Sequence, residues 1–147
     1  MTRWLDEEQQ KTWRAYLSAT TALQAGLDAQ LQAEAGMPHT YYEVLVRLSE
    51  APGRRLRMSA LADAAGSSRS RLSHAVAQLE SHGWVRREQC PADRRGQVAV
   101  LTDDGSAALA RAAPGHVEQV RRLLIDRLTT EQLRALRAIC EAILPGV

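Results

Sequence analysis

The chain contains two short segments of helical periodicity separated by only one glycine and two serines, and this spacing constrains its fold more than any other feature. The first segment covers residues 60–65, and Ser59 is suited to be its N-cap. The second covers about residues 69–82, with Ser67 or Ser68 as its N-cap and a glycine directly after it. Two short helices joined by a tight, glycine-containing turn are typical of a helix-turn-helix unit.

The next segment changes its period. Residues 84–89 have an extended pattern, residues 91–96 are rich in turn-forming types, and residues 97–101 alternate polar and apolar side chains. This order predicts a β-hairpin with two arginines at its tip. A helix-turn-helix followed by such a wing can place a helix in the major groove of DNA and the hairpin against a neighbouring minor groove or backbone.

Long helical patterns flank this unit. Residues 6–34 form one amphipathic pattern, and a second helix should begin near Pro38 and stop before Pro52. After the wing, Thr102 or Asp103 should cap a helix that runs to residue 128, with a kink or local break at Pro114-Gly115 rather than a domain boundary. A last helix should open at Thr129. The predicted fold class is therefore mainly α with a small β-wing.

Charge is distributed unevenly along the 147 residues, although the net charge is only +2. Residues 51–102 carry nine basic and four acidic side chains, whereas residues 1–50 have a net charge of −3 and residues 103–147 are neutral. The basic segment contains Arg54, Arg55, Arg57, Arg86, Arg87, Arg94 and Arg95, in addition to two arginines in the second short helix. If Leu72, Val76 and Leu79 face inward, that helix exposes Arg69, Ser70, Arg71, Ser73, His74, Ala77 and Gln78. These types donate to phosphates and base edges, which favours nucleic-acid binding over an ordinary solvated helix face.

Several other classes of protein are disfavoured. No apolar run approaches the ~18 residues of a membrane span, and the polar, acidic N-terminus does not resemble a signal peptide. Cys90 and Cys140 do not suggest a disulfide scaffold, and we expect Cys140 to be buried on an apolar helix face. No catalytic motif or tight metal-ligand cluster is present, so we expect a cytoplasmic protein that is not an enzyme and has no cofactor and no bound metal.

The run from Leu61 to Gly105 resembles the MarR family of transcriptional regulators. That family usually carries Leu-Glu-x-x-Gly-x-Val-x-Arg at the end of its helix-turn-helix, a wing with Asp-x-Arg, and then Leu-Thr-x-x-Gly. The matching residues here are Leu79-Glu80, Gly83, Val85, Arg87, Asp93, Arg95, Leu101-Thr102 and Gly105. Order and spacing agree through about 45 residues, and the flanking helices fit the rest of the chain.

The resemblance implies a homodimer that binds a pseudo-palindromic operator in double-stranded DNA. It divides the chain into an N-terminal dimerisation helix at 1–35, a winged helix-turn-helix lobe at 36–105 with its wing at 84–101, and C-terminal dimerisation helices at 106–147. Asp93 would brace Arg95 in the minor groove, although a plain turn-forming role for Asp93 is compatible, and Arg94 would lie near phosphate. The expected DNA-binding residues are Arg57, Ser68, Arg69, Ser70, Arg71, Ser73, His74, Gln78, Asp93, Arg94 and Arg95.

The resemblance also implies regulation, most often of a repressor by a small-molecule effector. An arginine beside aromatic side chains suits a small aromatic or phenolic ligand, and the expected lining is Trp13, Arg14, Tyr16, His39, Tyr42 and His116. The alternative, which the residue types favour, is that Trp13, Tyr16 and Tyr42 belong to the core and that Arg14 is a surface cation. Four alternatives stay open. Two are regulatory: a cysteine-responsive regulator that uses Cys90 among the wing arginines, and a metal-responsive regulator with Glu34, His39, Glu43 and His116 as candidate ligands. The other two are a winged-helix interaction module that binds no DNA and a sequence-indifferent DNA-binding protein.

Overall fold

The computed structural model describes residues 1–145, except for the side chain of Arg94. In chain order the helices and strands are α1 (Glu7–Ala35), α2 (His39–Glu50), β1 (Arg55–Arg57), α3 (Met58–Ala65), α4 (Arg69–Ser81), β2 (Val85–Cys90), β3 (Asp93–Leu101), α5 (Asp103–Leu123) and α6 (Thr130–Ile143). The mainly helical fold class with a small β-wing is thus confirmed.

The sheet differs from the predicted two-stranded hairpin. It has three antiparallel strands in the order β1-β3-β2, so the segment between α2 and α3 supplies a strand that pairs with the outer edge of β3. The strand β3 also begins at Asp93, four residues earlier than the alternating pattern indicated, and this shortens the predicted turn at residues 91–96 to two residues. A register irregularity between Gln89 and Cys90 accommodates that tight turn, since Cys90 pairs directly with Asp93.

Two helices, α3 and α5, differ from their predictions. The helix α3 begins at Met58 with Arg57 as its N-cap residue, so Ser59 lies inside the first turn. The helix α5 continues through Pro114 without the expected break and ends at Leu123, before a short 3-10 turn. Proline removes one backbone donor from a helix, but the rest of the α5 ladder forms on both sides of it.

The chain divides into two compact units, one of residues 28–115 and the other of residues 1–27 with the chain from His116 onward. Helices α1 and α5 contribute residues to both. The first of these units, here called the winged lobe, contains a continuous core built from α2, α3, α4, the sheet and the adjoining ends of α1 and α5. Its fully buried side chains include Leu31, Leu45, Leu48, Leu61, Val76 and Leu79. The predicted functional ranges 1–35, 36–105 and 106–147 stay predictions.

The other unit, here called the helical unit, has little core of its own. Gly26 lies against Leu123, where an added Cβ would come within 2.6 Å of Cδ1 of that leucine. No residue of α6 is buried within this single chain, and Cys140 is exposed there, which contradicts the expectation that it is buried core. Large apolar side chains that are at least two-fifths exposed in this unit are Met1, Trp4, Leu5, Trp13, Tyr16, Leu17, Val117, Ile139, Ile143 and Leu144.

Among the described residues, no helix is both long enough and apolar enough to cross a membrane.

Candidate nucleic-acid interface

The helix α4 is held by one apolar face and a defined N-terminus. Leu72, Val76 and Leu79 are buried as predicted, and Ala75 joins them. Ser68, rather than Ser67, is the N-cap: its hydroxyl accepts a hydrogen bond from the Arg71 backbone amide at 3.2 Å. The left-handed conformation of Gly66, with φ of +60°, makes the tight turn from α3 possible. These constraints fix which side chains of α4 point away from the core.

The outward face of α4 has the predicted composition. Six of the expected DNA-binding residues in and before this helix are exposed: Ser68, Arg69, Ser70, Arg71, His74 and Gln78. Ser73 is half-buried because it lies on the side of α4 that faces β2. The face is therefore rich in hydrogen-bond donors, and its single carboxylate, Glu80, lies near the C-terminal end.

The wing places Arg95 at the tip of the hairpin. Arg95 is exposed, and its backbone amide donates to Oδ1 of Asp93 at 3.0 Å. Asp93 thus holds the main chain of the tip in the manner of an Asx turn, and this contact with the backbone is the turn-forming role that the sequence left open. The side chain of Arg94 lies outside the part of the chain that the structure describes.

A groove of about 660 Å³ runs between the first turns of α4 and the wing. Its lining includes five of the predicted residues, namely Arg57, Arg69, Ser73, Asp93 and Arg95. The fold therefore brings residues that are up to 38 positions apart in the chain to one concave, basic surface. Ser70, Arg71 and His74 line a second groove of about 460 Å³ on the α2 side of the same helix.

Four arginines of the winged lobe outside α4 are paired with carboxylates. Arg54 contacts Asp103 at 3.3 Å, Arg55 and Arg86 both contact Glu88 at 2.5 and 3.0 Å, and Arg87 lies 2.8 Å from Glu80. The two arginines around Glu88, Arg86 foremost, hold the pKa of that carboxyl below its usual value. These four arginines, which belong to the basic segment of the sequence but not to the predicted DNA contacts, are thus neutralised within the fold. Among the described side chains of this lobe, four exposed arginines without an acidic partner are predicted DNA contacts: Arg57, Arg69, Arg71 and Arg95. Arg111 is also exposed and without an acidic partner, and Arg47 is half-buried.

Arg57 has an unexpected partner in Cys90. Its Nη2 donates to Sγ of Cys90 at 3.0 Å, and the cysteine is buried. The backbone amide of Ala92, followed by the Arg57 guanidinium, lowers the pKa of the Cys90 thiol. The sequence had placed Arg86, Arg87, Arg94 and Arg95 around this thiol; the contact comes instead from β1, which the sequence did not reveal as a strand.

Known proteins share the helix-turn-helix and wing described above. The MarR family model matches residues 35–96, which span α2 to the wing tip. The chain is 56% identical to Sco3205, a MarR family transcriptional regulator from Streptomyces coelicolor, with a TM-score of 0.90 over 99% of this chain and 94% of that one. AbsC, another MarR family regulator from Streptomyces coelicolor, is 44% identical with a TM-score of 0.85, over 97% of this chain and 98% of that one.

The chain belongs to the MarR family of transcriptional regulators. Among curated relatives, the transcriptional regulator HosA of Escherichia coli is 38% identical over 73 residues, which are 50% of this chain and 53% of that protein. The chain thus spans about half the length of this curated relative.

The structure explains the last part of the MarR motif. The hydroxyl of Thr102 donates to the Gly83 carbonyl at 2.6 Å and accepts from the Gly105 amide at 3.0 Å. A Cβ at Gly105 would lie 2.0 Å from the Trp84 carbonyl oxygen, so the start of α5 can approach β2 this closely only with glycine. The Leu-Thr-x-x-Gly run therefore fixes α5 to the end of α4.

The six residues predicted to line an effector pocket in this MarR chain divide between the two units. In the helical unit, the Trp13 and Tyr16 rings stack at 6.1 Å and are half-exposed, Arg14 hydrogen-bonds Gln10, and His116 is half-buried. In the winged lobe, His39 and Tyr42 are buried, and burial raises the pKa of the Tyr42 hydroxyl. The effector pocket stays a prediction.

The predicted alternative of a metal-responsive regulator has no ready site in the described part of the chain, where no three His, Cys, Asp or Glu side chains are grouped to hold a metal ion.

Proposed function

We propose that this chain is a homodimeric repressor, without catalytic activity of its own, that acts in the cytoplasm by binding a pseudo-palindromic operator in double-stranded DNA. The observation that carries the proposal is the placement of the unpaired arginines. Arg69, Arg71 and Arg95 lie on the outward face of α4 and on the wing, while neighbouring arginines are neutralised by carboxylates. The relative Sco3205, over half identical, has a crystal structure in complex with DNA, which supports the same use of this surface here.

The proposed base contacts lie on α4. Arg71, His74 and Gln78 are spaced by three and four residues, so they share one exposed stripe of the helix. Arginine and glutamine can pair with guanine and adenine edges through two hydrogen bonds each, and the major groove is wide enough for a helix. Ser70 and Ser73 flank this stripe, and Arg69 and Ser68 lie at the helix N-terminus, where phosphate binding is favoured.

The proposed minor-groove contact is Arg95. The tight hairpin, held by the Asp93 contact, carries this side chain exposed at the tip. Narrow A·T-rich minor grooves concentrate negative potential and attract an inserted arginine. We assign Arg94 and Arg57 to contacts with the phosphates that border this minor groove.

The proposed partner for the helical unit is a second copy of the chain. The helix α6 has a strongly one-sided apolar pattern, yet none of its residues is buried within the chain. Ile139, Ile143 and Leu144 are each more than half exposed. A helix of 14 residues with an uncovered apolar face gains stability only when another surface buries it, and a two-fold dimer would match a two-fold operator.

The proposed signal is a small aromatic or phenolic ligand that relieves repression. The stacked, half-exposed rings of Trp13 and Tyr16, with Arg14 beside them in the sequence, support that chemistry. Quenching of Trp13 fluorescence by benzoate-like and phenolic compounds, with loss of operator binding at the same concentrations, tests it.

Selection of genomic fragments bound by the purified protein tests the function. A sequence-specific regulator enriches one pseudo-palindromic site. Uniform recovery of all fragments would indicate a sequence-indifferent DNA-binding protein, and recovery of none would indicate an interaction module. Either result would overturn the proposal.

A further inference from the structure

Arg86 and Arg87 are neighbours in β2 with opposite surroundings. The Arg86 side chain is 57% exposed and reaches over the sheet to Glu88, whereas the Arg87 side chain is 20% exposed and turns toward α4. This difference follows from strand alternation, which sends successive side chains to opposite faces. Only Arg87 can therefore contact both the wing and the helix that we propose reads DNA.

The Arg87 guanidinium joins three elements. Its Nε lies 2.8 Å from Oε1 of Glu80, its Nη2 donates to the Ser73 carbonyl at 2.9 Å, and its Nη1 donates to the Ser73 hydroxyl at 3.3 Å. The same Nη1 also donates to the Gln97 side chain in β3 at 3.4 Å. Ser73 and Glu80 are seven residues apart, which is two turns of α4, so one planar group spans two turns of the helix from β2.

Glu80 is the only carboxylate of α4, and it places a negative charge on the helix that we propose approaches the phosphates of DNA. A carboxylate on a helix that approaches phosphates opposes binding through its charge. A largely buried guanidinium, on the other hand, is costly without a carboxylate partner. The pair therefore has a structural reason to exist. Nη1 and Nη2 of Arg87 donate hydrogen bonds inside the lobe, and its buried Nε is in ion-pair contact with Glu80 without a hydrogen bond.

We propose that Arg87 is a positioning residue, anchored by Glu80 and Ser73, that fixes the angle of the wing relative to α4. The proposal rests on the proposed function in one respect: the fixed angle lets α4 and Arg95 engage one operator half-site together. It differs from the sequence-based interpretation, in which Arg87 adds to the basic surface that faces DNA.

The first test needs no DNA. Hydrogen exchange is measured on the whole protein for wild type, Glu80→Gln and the neighbouring control Arg86→Gln. Glutamine keeps the shape of Glu80 and removes its charge. We expect amide exchange in β2 and β3 to rise roughly tenfold in Glu80→Gln and to be unchanged in Arg86→Gln. Equal exchange in wild type and Glu80→Gln would overturn the positioning role, whatever the protein does with DNA.

The second test compares affinities for the selected operator and for a scrambled duplex of the same length. If the charge of Glu80 alone matters, Glu80→Gln should bind both duplexes more tightly, because it removes a negative charge from α4. The positioning role predicts the opposite sign for the operator: roughly tenfold weaker binding by Glu80→Gln, with unchanged or tighter binding to the scrambled duplex. Arg87→Lys, which keeps the charge but lacks the planar fork, should show the same loss of preference.

Operator binding by Glu80→Gln and Arg87→Lys at wild-type affinity would overturn the proposal. Thermal unfolding of each variant separates loss of the wing angle from loss of the fold, since a misfolded variant would weaken binding to both duplexes. Absence of any preferred site for the wild type would overturn the proposed function, and the exchange experiment would still decide the role of Arg87.

Discussion

Thr102 and Gly105 connect the end of α4 to the beginning of α5 through contacts of 2.6 and 3.0 Å. The threonine hydroxyl acts as donor to one helix end and acceptor from the next, and the missing Cβ of Gly105 allows the Trp84 carbonyl to come close. These roles are local and chemically specific, so the Leu-Thr-x-x-Gly spacing could be found in the sequence. The contact between Gly83 and Thr102 could not be found in this way, because the two residues are 19 positions apart in the sequence.

Replacing Gly105 by alanine tests this close approach. The new Cβ would meet the Trp84 carbonyl oxygen at 2.0 Å and Leu101 at 2.7 Å, so the backbone must move. We expect the free energy of unfolding to fall by about 1–3 kcal/mol. Urea denaturation measures it, with Ala107→Ser on the exposed side of the same helix as a control that should change little. Equal stability of Gly105→Ala and wild type would show that the approach is looser than described.

The Cys90 thiol provides a second test at the residue scale. The Ala92 amide and the Arg57 guanidinium lower its pKa in the folded protein from the ordinary value of 9.0. The thiolate therefore stabilises the fold fully above that ordinary value, and this contribution is lost as the pH falls through the lowered pKa. The comparison is between Cys140→Ser, which keeps Cys90, and the double variant Cys90→Ser/Cys140→Ser. We expect the difference in their free energies of unfolding to grow with pH up to about 9.

Urea unfolding at a series of pH values measures this difference. Adding Arg57→Gln should reduce its growth with pH, because one of the two main stabilising contacts is removed. A difference that stays constant across the pH series would contradict the assigned environment of Cys90.

The secondary-structure elements show which kinds of signal a sequence carries. The helix α4 was predictable because caps, glycines and apolar spacing all lie within its own segment. The strand β1 was not, since a single apolar residue between two arginines has no local periodicity and is fixed by pairing with β3. The early start of β3 at Asp93 likewise depends on the partner strand rather than on its own turn-like composition. The pairing of Arg87 with Glu80 is of the same kind, because the two residues meet only when the wing is packed on α4.

The N-terminus of α4 gives a prediction at the scale of an element. Ser68 accepts the hydrogen bond from the Arg71 amide, so Ser68→Ala should cost about 1 kcal/mol of stability and speed amide exchange in the first turn. Ser67→Ala is the matched control, since Ser67 is the other serine of the turn and does not cap the helix. Hydrogen exchange with thermal unfolding compares the two. Equal effects of both substitutions would contradict the assignment of the cap.

At the scale of the whole molecule, the net charge of +2 is less informative than its placement. Residues 51–102 carry the positive excess, but ion pairs neutralise four of their arginines and leave Arg69, Arg71 and Arg95 exposed on α4 and the wing. The helical unit instead leaves apolar side chains uncovered. The order of motifs in the sequence could predict a basic winged lobe and apolar flanking helices. The pairing of the arginines with carboxylates, in contrast, could be seen only in the fold.

The uncovered face of α6 predicts a dimer that a single charge disrupts. Ile139→Glu places a carboxylate on the apolar face, where burial against a second copy would be costly, and should convert the dimer to monomer at micromolar concentration. Ala138→Glu adds the same charge on the opposite face of α6 and should leave the dimer intact. Sedimentation velocity distinguishes the two. A wild-type monomer, or a dimer that tolerates Ile139→Glu, would contradict the proposed interface.

The most direct measurement of the central claim is the affinity of Arg71→Ala for the selected operator and for a scrambled duplex, at one fixed salt concentration. If α4 reads bases through Arg71, the substitution costs about 1–3 kcal/mol on the operator and much less on the scrambled duplex. Arg137→Ala, which removes the same charge from the exposed surface of α6, should leave the preference unchanged. An equal loss on both duplexes would show that Arg71 contacts only phosphate, and it would contradict the claim that α4 recognises the operator sequence.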